Sequence, residues 1–392
     1  MAMAENTPPT ARAWLEVDLA AVRHNAAALA ARAGVPLLVM VKADAYGVGA
    51  TAVCRALGVP FAERAEGAGH AAPWGVGIAT LDEAAALRTA GCLGRVVCLQ
   101  PLLAADLPGA VDLGVTPSLH RADDIGRWRA LTDAPYHLSI DTGMARAGVR
   151  WDAVSTLRDA LHGAAPEGVF THFHSADESL ESRVEQDTRF AEARAALADV
   201  LPADVLVHAD NSAGIVSRTA GSPGHLARPG IALYGGMFTD ALGLHPVVHL
   251  RARVIDLRDV DDGESVSYGA TWRAVGGRRI ATIAAGYADG YRRHLSNTGE
   301  VLIKGVRCPV VGRVTMDMTM VDVTGVPCAL GDVATLIGRD GVHCLTVEDV
   351  AASGSLSPYE LLVGLSLRVP VVYHEAGLPS FPLMSSSVSL SA

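Results

Sequence analysis

A lysine is costly to bury, so one that closes an apolar strand calls for a chemical reason. In "PLLVMVKADAYGVGA" the run 37–41 reads as a buried strand and Lys42 ends it. Tyr46 and two glycines follow before a helical pattern resumes after Thr51. A lysine at a strand mouth, partly desolvated and close to other cations, loses proton affinity from its usual value of about 10.4. Its neutral amine is then a nucleophile that can form a Schiff base with an aldehyde. Polar residues that a core would not choose recur at the ends of other apolar runs. They are Arg146 in "DTGMARAG", His172 and His174 in "GVFTHFH", His208, Asn211 and Ser212 in "VLVHADNS", and Arg228 in "RPGIALYG". "HADNSAG" passes from strand to helix, so Ser212 and nearby backbone amides could receive an anion. The glycine of "RPGI" lets backbone N–H groups come close to a phosphate. A Schiff-base lysine beside a phosphate cradle suits pyridoxal phosphate, and at this point it suits a barrel aldolase as well.

Residues 14 to about 245 alternate short apolar runs with amphipathic stretches. The runs are "PLLVMVKA", "WGVGIA", "RVVCLQP", "GVTPSLH", "YHLSIDTG", "GVFTHFH", "DVLVHADN" and "HLARPGIALYG". Helix-like segments such as "TLDEAAALRTAG" and "SRVEQDTRFAEARAALADV" separate them. Strands apolar throughout and joined by helices pair in parallel. About eight such units predict a (β/α)8 TIM barrel over 14–245, with an open doubly wound sheet as the alternative. In a barrel the reactive groups gather at the C-terminal ends of the strands, which is where these residues fall.

From residue 246 the pattern turns β-rich, with turn signals "DDG", "VGG" and "IKG" and helical stretches only at "TVEDVAASG" and "SPYELLVGLS". This predicts a mostly antiparallel β domain over 246–378. Residues 1–13 and 379–392 are polar or small and read as a disordered N-terminal tail and a flexible C-terminal one.

The 392 residues are half hydrophobic with only 5% aromatics, which suits cores of small aliphatic side chains. A formal net charge of −10 without any basic block argues against nucleic acid or anionic membrane as the main partner. No apolar run is long enough to span a bilayer, and "MAMAENTPPT" lacks the marks of a signal peptide. The six cysteines are far apart with no CxxC pair, so neither zinc nor a disulfide framework is expected, and a cytoplasmic location is.

The motifs "VKADAYGVGA", "DTGMARAG", "THFHSADE", "HADNSAG", "RPGIALYG", "VSYGATW", "GYADGY", "VGRVTMDM" and "SPYE" resemble, in order over about residues 14 to 376, those of the alanine racemase family of fold-type III pyridoxal-phosphate enzymes. The resemblance implies a homodimer that interconverts L- and D-alanine for peptidoglycan. Serine or a broader substrate range is the runner-up, and a fold-type III decarboxylase is a further alternative. Lys42 would bind the cofactor and act as one acid/base. Tyr268 would be the other, reaching the partner's site with the Met316 backbone in a head-to-tail dimer. Tyr46, Ser212, the amides of Gly230 and Ile231, and Tyr359 would bind the phosphate. Arg228, held by His208, would face the ring nitrogen; His172 would lie beside the ring, and Asn211 completes the cofactor set. Arg146 and Met316 would position the substrate carboxylate, and Tyr287 would narrow the entry.

Three positions depart from the family pattern. Ser139 stands seven residues before Arg146, where many members carry a lysine that becomes carbamylated. No carbamate is expected here, and water or a small anion such as chloride is expected in its place. His174 stands where a small residue is common and is expected to fill space. Thr315 replaces a frequent cysteine before Met316.

Overall fold

The computed structural model describes residues 10–63, 72–218, 221–237, 242–365 and 368–378. Of the two expected tails, residues 1–9 and those from 379 onward lie outside this set. The chain divides into two compact units. One is Val22–Leu233 with Thr239–Leu244; the other is Met1–Ala21 with Tyr234–Phe238 and His245–Ala392. The first strand, β1 (Ala13–Asp18), belongs to the latter, although the sequence reading grouped it with the barrel.

The first unit is a ring of eight parallel strands. They are β2 (Leu38–Met40), β3 (Gly75–Ile78), β4 (Val96–Pro101), β5 (Val115–Leu119), β6 (His137–Asp141), β8 (Gly168–Phe170), β9 (Leu206–Asn211) and β10 (Leu226–Arg228), with a two-residue β7 (Val149–Arg150) on β6. A parallel bridge between Leu37 and Ala227 joins the first strand to the last. Across that seam Met40 donates its N–H to the Pro229 carbonyl at 2.9 Å and Ala227 donates to Pro36 at 3.1 Å.

All eight strands fall inside the apolar runs read from the sequence, and β2, β3 and β8 are buried along their whole length. Such burial on both faces is the environment in which parallel strands form. The last run is shorter than its apolar character suggested. Pro229 has no N–H to extend the ladder, and the chain leaves β10 for a 3-10 turn, Ile231–Tyr234.

The connecting helices begin where capping chemistry starts them. Thr80 and Glu83 form a reciprocal capping box on helix Leu81–Thr89, and Ser179 accepts the Ser182 N–H at the start of Leu180–Ala196. Helix–strand alternation thus delivers each strand's C-terminal end to one face of the ring.

The second unit is built around one long strand, β11 (Val248–Val260). Two small strands, β12 (Ser265–Val266) and β13 (Trp272–Arg273), pair with each other, and β14 (Arg278–Ile283) pairs with the later half of β11. A hairpin of β15 (Glu300–Ile303) and β16 (Val306–Pro309) follows, then β17 (Thr319–Asp322), β18 (Val333–Asp340), β19 (His343–Leu345) and β20 (Val371–His374). The main sheet runs β16-β15-β18-β11-β1-β20, antiparallel except where β1 meets β20. "TVEDVAASG" and "SPYELLVGLS" form the helices Val347–Ser353 and Pro358–Val363. All six cysteines are free. Among the described residues no helix is long and apolar enough to cross a membrane.

Leu250 lies at the centre of this sheet, fully buried, opposite Leu15 on β1 and Ile337 on β18. Leu250→Ala leaves a cavity between three strands and should cost about 2–5 kcal/mol in chemical denaturation. An unchanged unfolding midpoint would show that the sheet collapses around the site.

Candidate active site

Lys42 follows directly on β2, after Val41, whose N–H donates to the Gly77 carbonyl at 2.8 Å. The next four residues, Ala43 to Tyr46, all have φ between 51° and 59°, making a left-handed helical turn of ordinary L-residues. Such a conformation costs about 1–2 kcal/mol per residue, so the surroundings must impose it. Glu83 is one restraint: its carboxylate accepts N–H donors from Ala43 at 2.6 Å, Ala79 at 2.7 Å and Thr80 at 3.2 Å. Asp44 is another, accepting the Ala50 N–H at 2.7 Å on its side chain and the Gly49 N–H at 2.9 Å on its carbonyl. The turn buries Tyr46 and leaves Lys42 in the open strand mouth, its Nζ 6.0 Å from the Tyr46 ring centre.

Lys42 has solvent-accessible surface, yet protein on its flanks still desolvates the ammonium. That desolvation lowers its pKa, the Arg146 guanidinium lowers it further, and Glu83 opposes both. Arg146 rides an exposed loop after β6 that Asp141 fixes by accepting the Gly143 and Ala145 N–H groups.

Arg228, at the end of β10, is only 2% exposed. It donates to His208 Nδ1 at 2.8 Å, to the Thr171 carbonyl at 2.6 Å, to the Ala209 carbonyl at 2.9 Å and to His172 Nδ1 at 3.4 Å. Burial pushes its pKa down to about 10, still far above neutrality. The same burial, with the Arg228 charge, holds His172 down to about 3 and His208 well below the usual imidazole value. Both rings are therefore neutral at physiological pH.

A third cluster forms an anion cradle. Ser212 Oγ accepts the Gly230 N–H at 2.9 Å and the Ala232 N–H at 3.2 Å, which leaves its own O–H to donate. A Cβ on Gly230 would stand 2.3 Å from the Tyr46 hydroxyl, so only glycine lets that hydroxyl approach the same backbone. Ile231, buried, starts the 3-10 turn, where N–H groups lack partners within the helix. Two hydroxyls and the backbone N–H groups of 230–232, two of which here donate to Ser212 Oγ, converge in a set that suits a phosphate dianion. Asn211 caps the helix Ser212–Ser217 by accepting the Gly214 N–H at 2.9 Å, a structural task in itself.

The remaining expected residues lie in the second unit. Tyr268 is 72% exposed, on a tight turn held by Ser267, whose hydroxyl donates to the Arg313 carbonyl at 2.6 Å. The Arg313 guanidinium lies against Gly269, about 3.1 Å from where a Cβ would be. Tyr287 and Met316 are neighbours: Tyr287 donates its N–H to Thr315 and Ala288 donates to Met316, both at 3.0 Å, over Gly286, where a Cβ would strike the Thr315 carbonyl. Thr315 Oγ1 accepts the Met318 N–H at 3.1 Å, tying the turn that carries Met316. Tyr359 sits exposed at the start of helix Pro358–Val363.

Two departures are explained by their surroundings. Ser139 is buried with its Oγ against Gly148, where a Cβ would sit at 3.1 Å. His174 does not fill space as expected: it is exposed, with Nδ1 2.9 Å from Ser175 Oγ and Nε2 3.3 Å from Ser182 Oγ. The sequence reading missed Glu83, visible only as the last residue of a capping box, and His137 and Glu167, described below.

An amine, a buried arginine and an anion cradle in one parallel ring are the parts of a fold-type III pyridoxal-phosphate enzyme. Residues 17–237 match the family Alanine racemase, N-terminal domain, and residues 247–373 match Alanine racemase, C-terminal domain. The alanine racemase of Deinococcus radiodurans is 40% identical over 363 residues, covering 91% of this chain and 98% of that protein. That of Deinococcus deserti is 39% identical over 367 residues, covering 91% and 97%. Among solved structures, alanine racemase from Bacillus anthracis with bound L-Ala-P superposes with TM-score 0.81 at 32% identity, covering 95% of this chain and 97% of that one. The Streptomyces coelicolor A3(2) enzyme gives 0.82 at 34%, covering 92% and 98%. The chain belongs to the alanine racemase family, whose members depend on pyridoxal phosphate.

Buried neutral histidines make stability depend on pH. His208 and His249 are fully buried with lowered pKa values, His249 to about 3, so between there and about 6.5 the unfolded chain binds more protons than the folded one. Stability should be fully present above about 6.5 and fall on acidification, by about 1.4 kcal/mol at pH 5.5 from His249, with His208 acting in the same direction. Denaturant titrations at pH 7.5 and 5.5 check this, and a pH-independent midpoint would show that these rings protonate in the folded state.

Proposed function

We propose that the protein interconverts L-alanine and D-alanine by a two-base mechanism, with pyridoxal 5'-phosphate held at the strand mouths of the barrel. When bound, the cofactor supplies an electron-withdrawing ring that acidifies the substrate's Cα–H. Lys42 anchors it through the side-chain amine. The hydroxyls of Tyr46 and Ser212 and the amides of Gly230 and Ile231 receive its phosphate, with Tyr359 as a further hydroxyl and Asn211 bracing the cradle.

Arg228, which keeps its own protons, would face the ring nitrogen and leave it unprotonated, moderating the electron withdrawal that the cofactor would supply. His208 holds Arg228, and neutral His172 would lie beside the ring without adding charge. The observation that carries this reading is the coincidence of the Ser212–Gly230–Tyr46 cradle with the buried Arg228 and the lowered Lys42 in one ring.

Inverting a stereocentre needs a proton removed on one face and delivered on the other. Lys42 Nζ, its proton affinity lowered by desolvation and by Arg146, serves one face. Tyr268 serves the other from a second copy of the chain, bringing the Met316 backbone with it in a head-to-tail homodimer. The exposure of both side chains in a single chain is what such an arrangement requires. Arg146 and the Met316 N–H position the carboxylate, Tyr287 narrows the entry, and water or a small anion beside Ser139 takes the place of a carbamate. The enzyme works in the cytoplasm and supplies D-alanine to the cell wall.

Incubation with each alanine enantiomer in deuterated buffer, read by Cα exchange and by chirality, tests this directly. Exchange accompanied by inversion is expected, and no exchange with alanine would sink the proposal. Lys42→Ala should lower turnover by at least about 10²–10⁴-fold, the range of a lost acid/base.

A further inference from the structure

Beneath Arg228 a line of hydrogen bonds runs through the barrel interior to the opposite, N-terminal face. His208 Nδ1 receives from Arg228, and His208 Nε2 is 2.9 Å from His137 Nδ1. His137 Nε2 is 3.4 Å from Glu167 Oε2, and Glu167 is paired with Arg95, which stacks on Trp74 with 4.4 Å between the guanidinium and the ring centre. His137 opens β6 and Glu167 immediately precedes β8, so the line ends at the bottom of the ring. The rings are held where they are: His208 stacks on Phe170 at 5.0 Å, and a Cβ on Gly168 would come within 3.0 Å of the His137 ring.

The chemistry of the donors gives this line a single polarity. A guanidinium can only donate, so His208 Nδ1 must present a lone pair. A neutral His208 then carries its proton on Nε2 and donates it to His137 Nδ1. His137 in turn carries its proton on Nε2 and points it at Glu167, which can only accept when ionised. Every bond runs the same way, from the arginine to the carboxylate.

Building on the role proposed for Arg228, we infer that Glu167 is a remote positioning residue of the reaction: as an ionised acceptor at the end of the line, it holds His137 and His208 in the orientation that presents His208 Nδ1 to Arg228. Arg228 has no carboxylate among its hydrogen-bond partners, and the charge that favours its guanidinium is that of buried Asp210 on β9. What is left to Glu167 is orientation, which polarised hydrogen bonds in a row can transmit. Glu167 touches no part of the strand-mouth site and acts only through this line.

Glu167→Gln keeps the size and an acceptor oxygen but removes the charge. In the holoenzyme it should lower kcat about tenfold, in the range for residues that orient a functional histidine, with the KM for alanine little changed. Glu167→Asp should recover part of the loss. Thermal unfolding of each variant separates this from a general loss of structure. Equal kcat in a folded, cofactor-bound Glu167→Gln protein would overturn the inference.

A second measurement needs no variant and no turnover. Nitrogen-15 spectra of the histidine-labelled holoenzyme should show His137 and His208 both protonated at Nε2 and bare at Nδ1. Either ring with its proton on Nδ1 would overturn the inference, even if the Gln variant failed to fold. Racemisation by the unsubstituted protein is assayed first: its absence would defeat the proposed function, while the histidine tautomers would still judge the line on its own.

Discussion

The site is organised around a charge that cannot be removed. Arg228 is buried at the end of β10 and, as a guanidinium, stays protonated even with its pKa pushed to about 10. Its donors dictate the state of everything around it. Two carbonyls, Thr171 and Ala209, face it, and the two rings in contact with it, His172 and His208, are kept neutral. In the proposed reaction such a cation would face the cofactor's ring nitrogen in place of a carboxylate and would weaken its electron withdrawal.

The second demand is that the groups at the strand mouths be held without slack. The left-handed turn from Ala43 to Tyr46 is strained, and it is sustained by Glu83 and Asp44 on one side and by the seam between β2 and β10 on the other. Its result is to send two residues only four apart to different places: Lys42 to the open mouth and Tyr46 to the cradle against Gly230. Strain of a few kcal/mol stored beside a reactive group is a common cost of such pre-organisation.

Much of this was legible in the sequence. The eight apolar runs are the eight strands of the barrel, because burial on both faces leaves a continuous hydrophobic signal. Lys42, Arg228, Ser212 and His208 could be singled out because each is a polar residue at the end of such a run. Other features left no local trace. The left-handed turn is written in Ala43, Asp44, Ala45 and Tyr46, of which only the aspartate tolerates positive φ readily, so its cause is tertiary. His137 and Glu167 stand at strand starts, where a polar residue is ordinary, and their link depends on pairing across 30 residues of chain. Tyr268, in a short exposed turn rather than a strand, is singled out by its motif alone.

In the proposed mechanism two bases on two copies of the chain flank one substrate. Mixing Lys42→Ala and Tyr268→Phe proteins, each inactive alone, under conditions that exchange subunits tests it most directly. In a mixed head-to-tail dimer one of the two sites regains both bases, so about a quarter of the unsubstituted activity should return. Mixed dimers confirmed by mass that remain as inactive as their parents would place Lys42 and Tyr268 in the same subunit's site, or remove Tyr268 from the chemistry, and contradict the account.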